Sequence, residues 1–300
     1  MKPFIMLVAA MFMASSAFAQ IEISLGTGYL MNSFMSTTDN FNPNDVGNQG
    51  FAVGKKVTGD AAAPDVESIY FSSGGGIPIN LGIGIPIVEH VMFNADFCYL
   101  MGPAVTVGET DVSADLGPLG TLTIEGTATA QSTQIRFNPG LTFSAENGLY
   151  ARTGLIIPIG GKTIKTVDLK ASGPTGDVTR NIEVETAGKF SMGAQTAVGY
   201  AVALADNMKL GFELQAIALN IQSSSEMITS YEDSDGVDLE TAFPTVMERE
   251  TNFVDAMDAS SNNPGFNPSV DTSKPMDNWA NRSSFGAWGF NVNFIYVIGG

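Results

Sequence analysis

The chain has 300 residues, 44% hydrophobic and only 15% charged, with a net charge of −17 from 14 Lys and Arg against 31 Asp and Glu. That balance excludes a nucleic-acid partner, whose phosphates require a basic patch, and the apolar content excludes a disordered chain. Cys98 is the only cysteine and His90 the only histidine, which excludes an internal disulfide, a cysteine-based metal site and a multi-histidine zinc centre.

The chain opens as an export signal. Lys2 supplies the positive end, Phe4 to Met13 the apolar stretch, and Ala17-Phe18-Ala19 an A-x-A cleavage site. Residues 1–19 are therefore expected to be removed, leaving 20–300 as one domain. Ten apolar residues are too few to span a bilayer, for which about 20 are needed.

Beyond residue 20 the pattern has a period of two, the signature of strands with one apolar face. The first predicted strand, Ile21 to Met31, puts Ile21, Ile23, Leu25, Thr27 and Tyr29 opposite Glu22, Ser24, Gly26 and Gly28. The second covers about Ser68 to Ile87, with Pro78 and Pro86 predicting bulges or an irregular stretch. Val88-Glu89-His90 is a turn, and His90 is read as a turn residue. The third strand runs Val91 to Met101, the fourth Gln131 to Phe143, and Ala145-Glu146-Asn147-Gly148 is a tight turn. The fifth is Leu149 to Gly160 and the sixth Phe190 to Leu204. After the turn at Asp206-Asn207 come the seventh, Met208 to Asn220, and the last, Ser283 to Ile298.

The connections alternate short and long. The long ones, about 32–67, 103–130, 161–189 and 221–282, hold most of the Asp, Pro, Ser and Asn. Eight strands, three tight turns and four long loops match an all-β, closed, antiparallel up-and-down transmembrane barrel, with short turns toward the periplasm and four long extracellular loops. The first and last loops are long enough to hide a further hairpin, so a ten-stranded count stays open.

The Ile, Leu, Val and Phe face is too large for the inside of eight strands. The opposite face, of Gly, Ser, Asn and Gln, suits a narrow bore. The apolar face is therefore expected to meet outer-membrane lipid. Tyr29, Phe71, Tyr99 and Trp288 on the loop side, with Phe93, Phe143 and Tyr296 on the turn side, form the candidate interfacial girdles.

The Ala17-Phe18-Ala19 site, the strand Leu149-Tyr150-Ala151-Arg152-Thr153-Gly154 and the closing FGAWGFNVNFIYVIGG together resemble the small bacterial outer-membrane β-barrel group typified by the OmpA transmembrane domain and OmpX. The resemblance covers 20–300 and implies a Gram-negative cell envelope. It departs at the last residues, Ile298-Gly299-Gly300, where such chains often end on an aromatic; Phe294 and Tyr296 keep the alternation.

On the polar face Glu22, Asp96, Arg136, Arg152 and Glu213 are the candidate lumen charge network, with Lys209 near the turn-side mouth. Buried charges persist when paired, so the network is expected to plug the bore; rearranged pairs would instead make a gate. The last loop carries twelve acids and two bases. Within it Asp233, Asp235, Asp238 and Glu240 are a candidate calcium site, although the spacing is not that of an EF-hand. A solvated acidic loop is the rival reading. Asn263 to Pro268 and Phe41-Asn42-Pro43-Asn44 are turn-rich segments with an exposed Phe, available to a surface partner or extracellular ligand.

No catalytic set is present in the pattern, so the protein is not read as an enzyme. The expected role is structural or surface-interacting, with the loops displayed outside the cell. The alternative is a small porin or transporter of solutes. A soluble secreted sandwich fits the signal and the strands but not the lipid-sized apolar face.

Overall fold

The structure, a computed structural model, describes residues 20–33, 54–174 and 176–299. The export signal and the Phe41–Asn44 segment lie outside the described residues.

In chain order the strands are β1 (Ile21–Asn32), β2 (Lys55–Asp60), β3 (Asp65–Ser68), β4 (Ile77–Val88), β5 (Val91–Met101), β6 (Val105–Asp115), β7 (Thr121–Ser144), β8 (Leu149–Gly173), β9 (Gly176–Gly188), β10 (Gly193–Ala205), β11 (Met208–Ala218), β12 (Asn220–Asp233), β13 (Glu250–Val254), β14 (Met276–Trp279), β15 (Arg282–Ser284) and β16 (Ala287–Ile298). Two single-turn helices, α1 (Leu239–Ala242) and α2 (Val246–Arg249), interrupt the stretch between β12 and β13.

Eight strands close on themselves in the order β1, β4, β5, β7, β8, β10, β11, β16 and back to β1, every pairing antiparallel. Closure leaves the ring without an edge strand. The turns at one end are tight for local reasons. Val88 pairs with Val91, so Glu89 and His90 alone make the reversal, and His90 takes the left-handed φ of 68°. Ala205 pairs with Met208 across Asp206-Asn207. Gly148 supplies the positive φ of the third turn. The prolines sit where the ladder is already irregular in two cases: the register shifts between Pro86 and Val88, and Pro158 follows the shift between Ile135 and Arg136. Pro78 lies in regular register with Leu100.

The faces divide as the alternation requires. Ile83, Leu155, Phe212 and Phe294 point outward, with Leu155 49% exposed, whereas Arg136 (1%) and Glu213 (5%) point into the bore. Tyr29, Tyr99 and Trp288 lie outward toward the far end of the ring, and Phe93, Phe143 and Tyr296 outward toward the turns. Phe71 is different. It precedes β4 and packs against Val107, Ala128 and Ala130, so it is not part of a ring around the barrel.

In its described residues each expected long stretch carries strands: β2 and β3 in 32–67, β6 and part of β7 in 103–130, part of β8 and β9 in 161–189, and most of β12 with β13 and β14 in 221–282, where turns and the two short helices make up the rest. The reason lies in β7 and β8, which run 24 and 25 residues, about 80 Å at ~3.3 Å per residue. They leave the ring as a paired spine, Thr123–Ile135 against Gly160–Ser172. Where β5 ends beside β7, β6 takes over the same flank; where β10 ends beside β8, β9 takes over. The resulting open sheet continues through β12, β13 and β14 on one side, and through β2 and β3 on the other. β13–β14 and β2–β6 are its parallel pairs. Val107, Ala128 and Ala130, with Phe71, Val105 and Val167, form its own small core.

Candidate functional site

The bore is filled in layers, each set by which inward residues share a rung. Nearest the turns, Lys209 Nζ donates to Glu22 Oε1 at 2.7 Å. Next comes the central ion cluster. Arg152 on β8 donates from Nη1 to Asp96 Oδ2 on β5 at 2.7 Å, and from Nη2 to Glu213 Oε2 on β11 at 2.8 Å. β8 stands two strands from β5 and two from β11 around the ring, so one guanidinium ties together three separated staves. All three side chains are largely buried. Charge-assisted pairs of this length are strong only because water is excluded.

Small residues make room for these groups. A side chain at Gly82 would sit about where the Asp96 carboxylate lies, and one at Gly199 would run into the Tyr150 ring, 2.4 Å from its Cζ. Asn94 and Thr142, and Asn291 and Gln215, are hydrogen-bonded across the bore wall.

One rung farther from the turns, Cys98 stands opposite Arg136, and Leu100 opposite Gln134. Here the inner face turns apolar. Leu30, Leu100, Ile156, Ile217, Leu219, Ile221, Phe285 and Ala287 form a buried collar between the ring and the upper sheet. Leu30, Leu100 and Ile156 occupy positions on the face the alternation assigns to the lumen. Apolar residues at the far end of an otherwise polar face were a visible sign of this collar, and sequence reasoning passed over it.

The five expected lumen residues do not form one network. Asp96, Arg152 and Glu213 meet; Glu22 pairs with Lys209 at the mouth; Arg136 stands apart and donates from Nε to Gln134 Oε1 at 2.6 Å. Gln134 and Tyr150 carried no sequence signal beyond their place on the inner face.

The four carboxylates expected for calcium do not converge. Asp233 accepts the backbone N–H groups of Asp235 and Val237. Asp238 caps α1 through Thr241 N, and Glu240 reaches toward Arg249 at 4.0 Å. Among the described residues no group of three or more His, Cys, Asp or Glu is placed to hold a metal ion. The reason is local: Asp233 and Asp238 are taken up by backbone N–H groups of their own turn and helix cap.

Above the collar, Glu226 on β12 and Asp271 between β13 and β14 are each engaged by local partners. Burial pushes the Glu226 carboxyl up, but the charge and hydrogen bond of Lys165, with Thr186, bring it below the ordinary carboxylate range. Asp271 is held down at about 2 by hydrogen bonds from Ser273 and Lys274. An open cleft of about 500 Å³ lies on this sheet among Glu125, Asp168, Lys170, Arg180, Asn181 and Glu232.

No protein-family model matches the chain, and no curated protein matches it. Among solved structures, the P. putida toluene transporter TodX is similar at 9% identity, over 95% of this chain and 91% of that one, with a TM-score of 0.17. A likeness at that score carries no argument for fold or function.

Proposed function

We propose that this chain is a bacterial outer-membrane β-barrel whose ring is embedded in lipid and whose role is structural or surface-interacting, with the upper sheet displayed outside the cell. The outward row of β7 supports the embedding. From Phe143 through Leu141 and Phe137 to Ile135 it is apolar; from Thr133 through Gln131, Thr129 and Thr127 to Glu125 it is polar. The switch comes where β7 leaves the ring. On β4 the outward residues from Ile77 to Ile87 span about 33 Å at ~3.3 Å per residue, or a height of about 25 Å at a tilt of ~40°. That is the height of the apolar band of such barrels. Exposed isoleucine and phenylalanine over this whole surface would be an aggregation hazard in water.

The observation that carries the role is the double closure of the bore: Arg152 held across it by Asp96 and Glu213, and the apolar collar of Leu30, Leu100 and Ile156 beyond. An interior of eight strands is only wide enough for side chains. A closed cylinder that lifts a broad acidic sheet off the membrane suits display to a partner better than passage of solute. We assign it no catalytic activity and no resident metal.

The test is conductance. The refolded protein in planar bilayers is expected to be silent under applied voltage. A steady single-channel conductance that vanishes when the protein is boiled would overturn the role and return the small-porin reading.

A further inference from the structure

The open cleft on the upper sheet has a floor set by register. It holds about 500 Å³, within the ~300–1,000 Å³ of small-molecule sites. One row of the floor runs from Glu125 on β7 to Lys170 on β8 and Thr179 on β9. Two residues farther along, the next row runs from Thr127 to Asp168, Asn181 and, on β12, Glu232. Residues in register share a face, and so do residues two apart on one strand. These polar side chains therefore project the same way as a grid, ~4.8 Å apart across strands and ~6.8 Å apart along them. No two like charges stand directly opposite each other, because Asn181 separates Asp168 from Glu232. Much of the grid is uncommitted. The side chains of Glu125 and Glu232, and of Arg180 at the cleft wall, are exposed and make no hydrogen bond or ion pair among the described residues. Lys170 reaches Asp177 only at 3.6 Å, and Asp168 accepts from Asn181 through Oδ1 alone.

We propose that this cleft binds a short neutral oligosaccharide. Four acids against two bases line it, which disfavours phosphates and other anions. Lys170 and Arg180 would repel an organic cation. Among the described residues no three ligating groups converge on a metal ion. Leu169 alone among the described lining residues is large and apolar, too little to hold an apolar molecule. What the grid offers is acceptors and donors in alternation. A sugar hydroxyl donates to a carboxylate and accepts from an ammonium, guanidinium or amide N–H, and hydrogen bonds to charged groups are the stronger kind. The strands hold the grid in place before any ligand arrives, which lowers the ordering cost of binding. The inference deepens the display reading by naming the class of partner. Binding to the chain in detergent does not depend on lipid around the ring or on a silent bore, so the two readings fail separately.

The test uses the full folded chain in an amine-oxide detergent, which carries no sugar. The probe is an array of immobilised glycans: neutral ones of hexose and N-acetylhexosamine, and sulfated or phosphorylated ones. Binding to at least one neutral glycan is expected, competed by the same glycan free in solution. Glu125→Ala and Asp168→Ala should each weaken it about tenfold, the loss of one hydrogen bond to a charged group. Thr127→Trp, which fills the cleft from an exposed position, should abolish it. Glu67→Gln, on β3 outside the cleft, should bind as the unaltered chain does. All four positions are exposed, and any variant that fails to fold leaves the decision to the others. No binding to any neutral glycan, binding confined to sulfated or phosphorylated ones, or binding unaltered in Glu125→Ala and Thr127→Trp would overturn the inference.

Discussion

Arg152 decides whether the centre of the bore is satisfied or charged. Removing it leaves Asp96 and Glu213 facing each other without a cation, buried among Asn94, Asn138 and Asn291. Breaking one partner from a buried ion cluster generally costs about 3–5 kcal/mol, while replacing the whole cluster by neutral groups is often close to neutral. Arg152→Met is therefore expected to lower unfolding stability in urea by roughly 3–5 kcal/mol, and the triple change Arg152→Met, Asp96→Asn, Glu213→Gln to recover most of that loss. Equal losses in the single and triple variants would mean that the pairing contributes little. That these residues face inward was legible from alternation alone. Which of them meet was not, because Arg152, Asp96 and Glu213 belong to strands that are not direct neighbours, and only the ring's register brings them level. Arg136 shows the same limit from the other side: same face, one rung off, different partners.

At the scale of elements, the ring strands were readable because large aliphatic and aromatic residues alternate with Gly, Ser and Asn. The upper halves of β7 and β8 were read as loop because their apolar rows are small. Along TLTIEGTATAQST the inner row is Leu122, Ile124, Gly126, Ala128 and Ala130 against outward threonines. The period of two is present, but the hydropathy contrast is weak, and β-propensity depends on neighbouring strands that a single sequence does not reveal. The stretch 221–282 was obscured further by its turns, helix caps and acids. Those acids make a pH prediction. Glu226, Asp238, Asp255, Asp258 and Asp271 all titrate below the ordinary carboxylate range. Their pairing contributes stability that is full above the unfolded-state value near 4 and is lost as pH falls toward about 2, the value of Asp271. Pepsin is expected to cut within 221–282 increasingly from pH ~4 to ~2 and to spare the ring. First cuts in β5 or β11, or cutting of 221–282 that does not increase across that range, would contradict it.

For the whole molecule, one surface decides everything: the ring's outward apolar face. The closed antiparallel ring and its inward polar side follow from the pairings and from burial; lipid as the outer solvent is our proposal, and on it rest the proposed compartment and the display of the upper sheet. Spin labels carried by single cysteines, in a Cys98→Ala background reconstituted into vesicles, measure that solvent directly. Labels at Ile83, Leu155 and Phe212 are predicted to collide with oxygen and to be shielded from a water-soluble nickel chelate, and labels at Thr127 and Lys170 to show the reverse. Free access of the chelate to Leu155 and Phe212 would contradict the account.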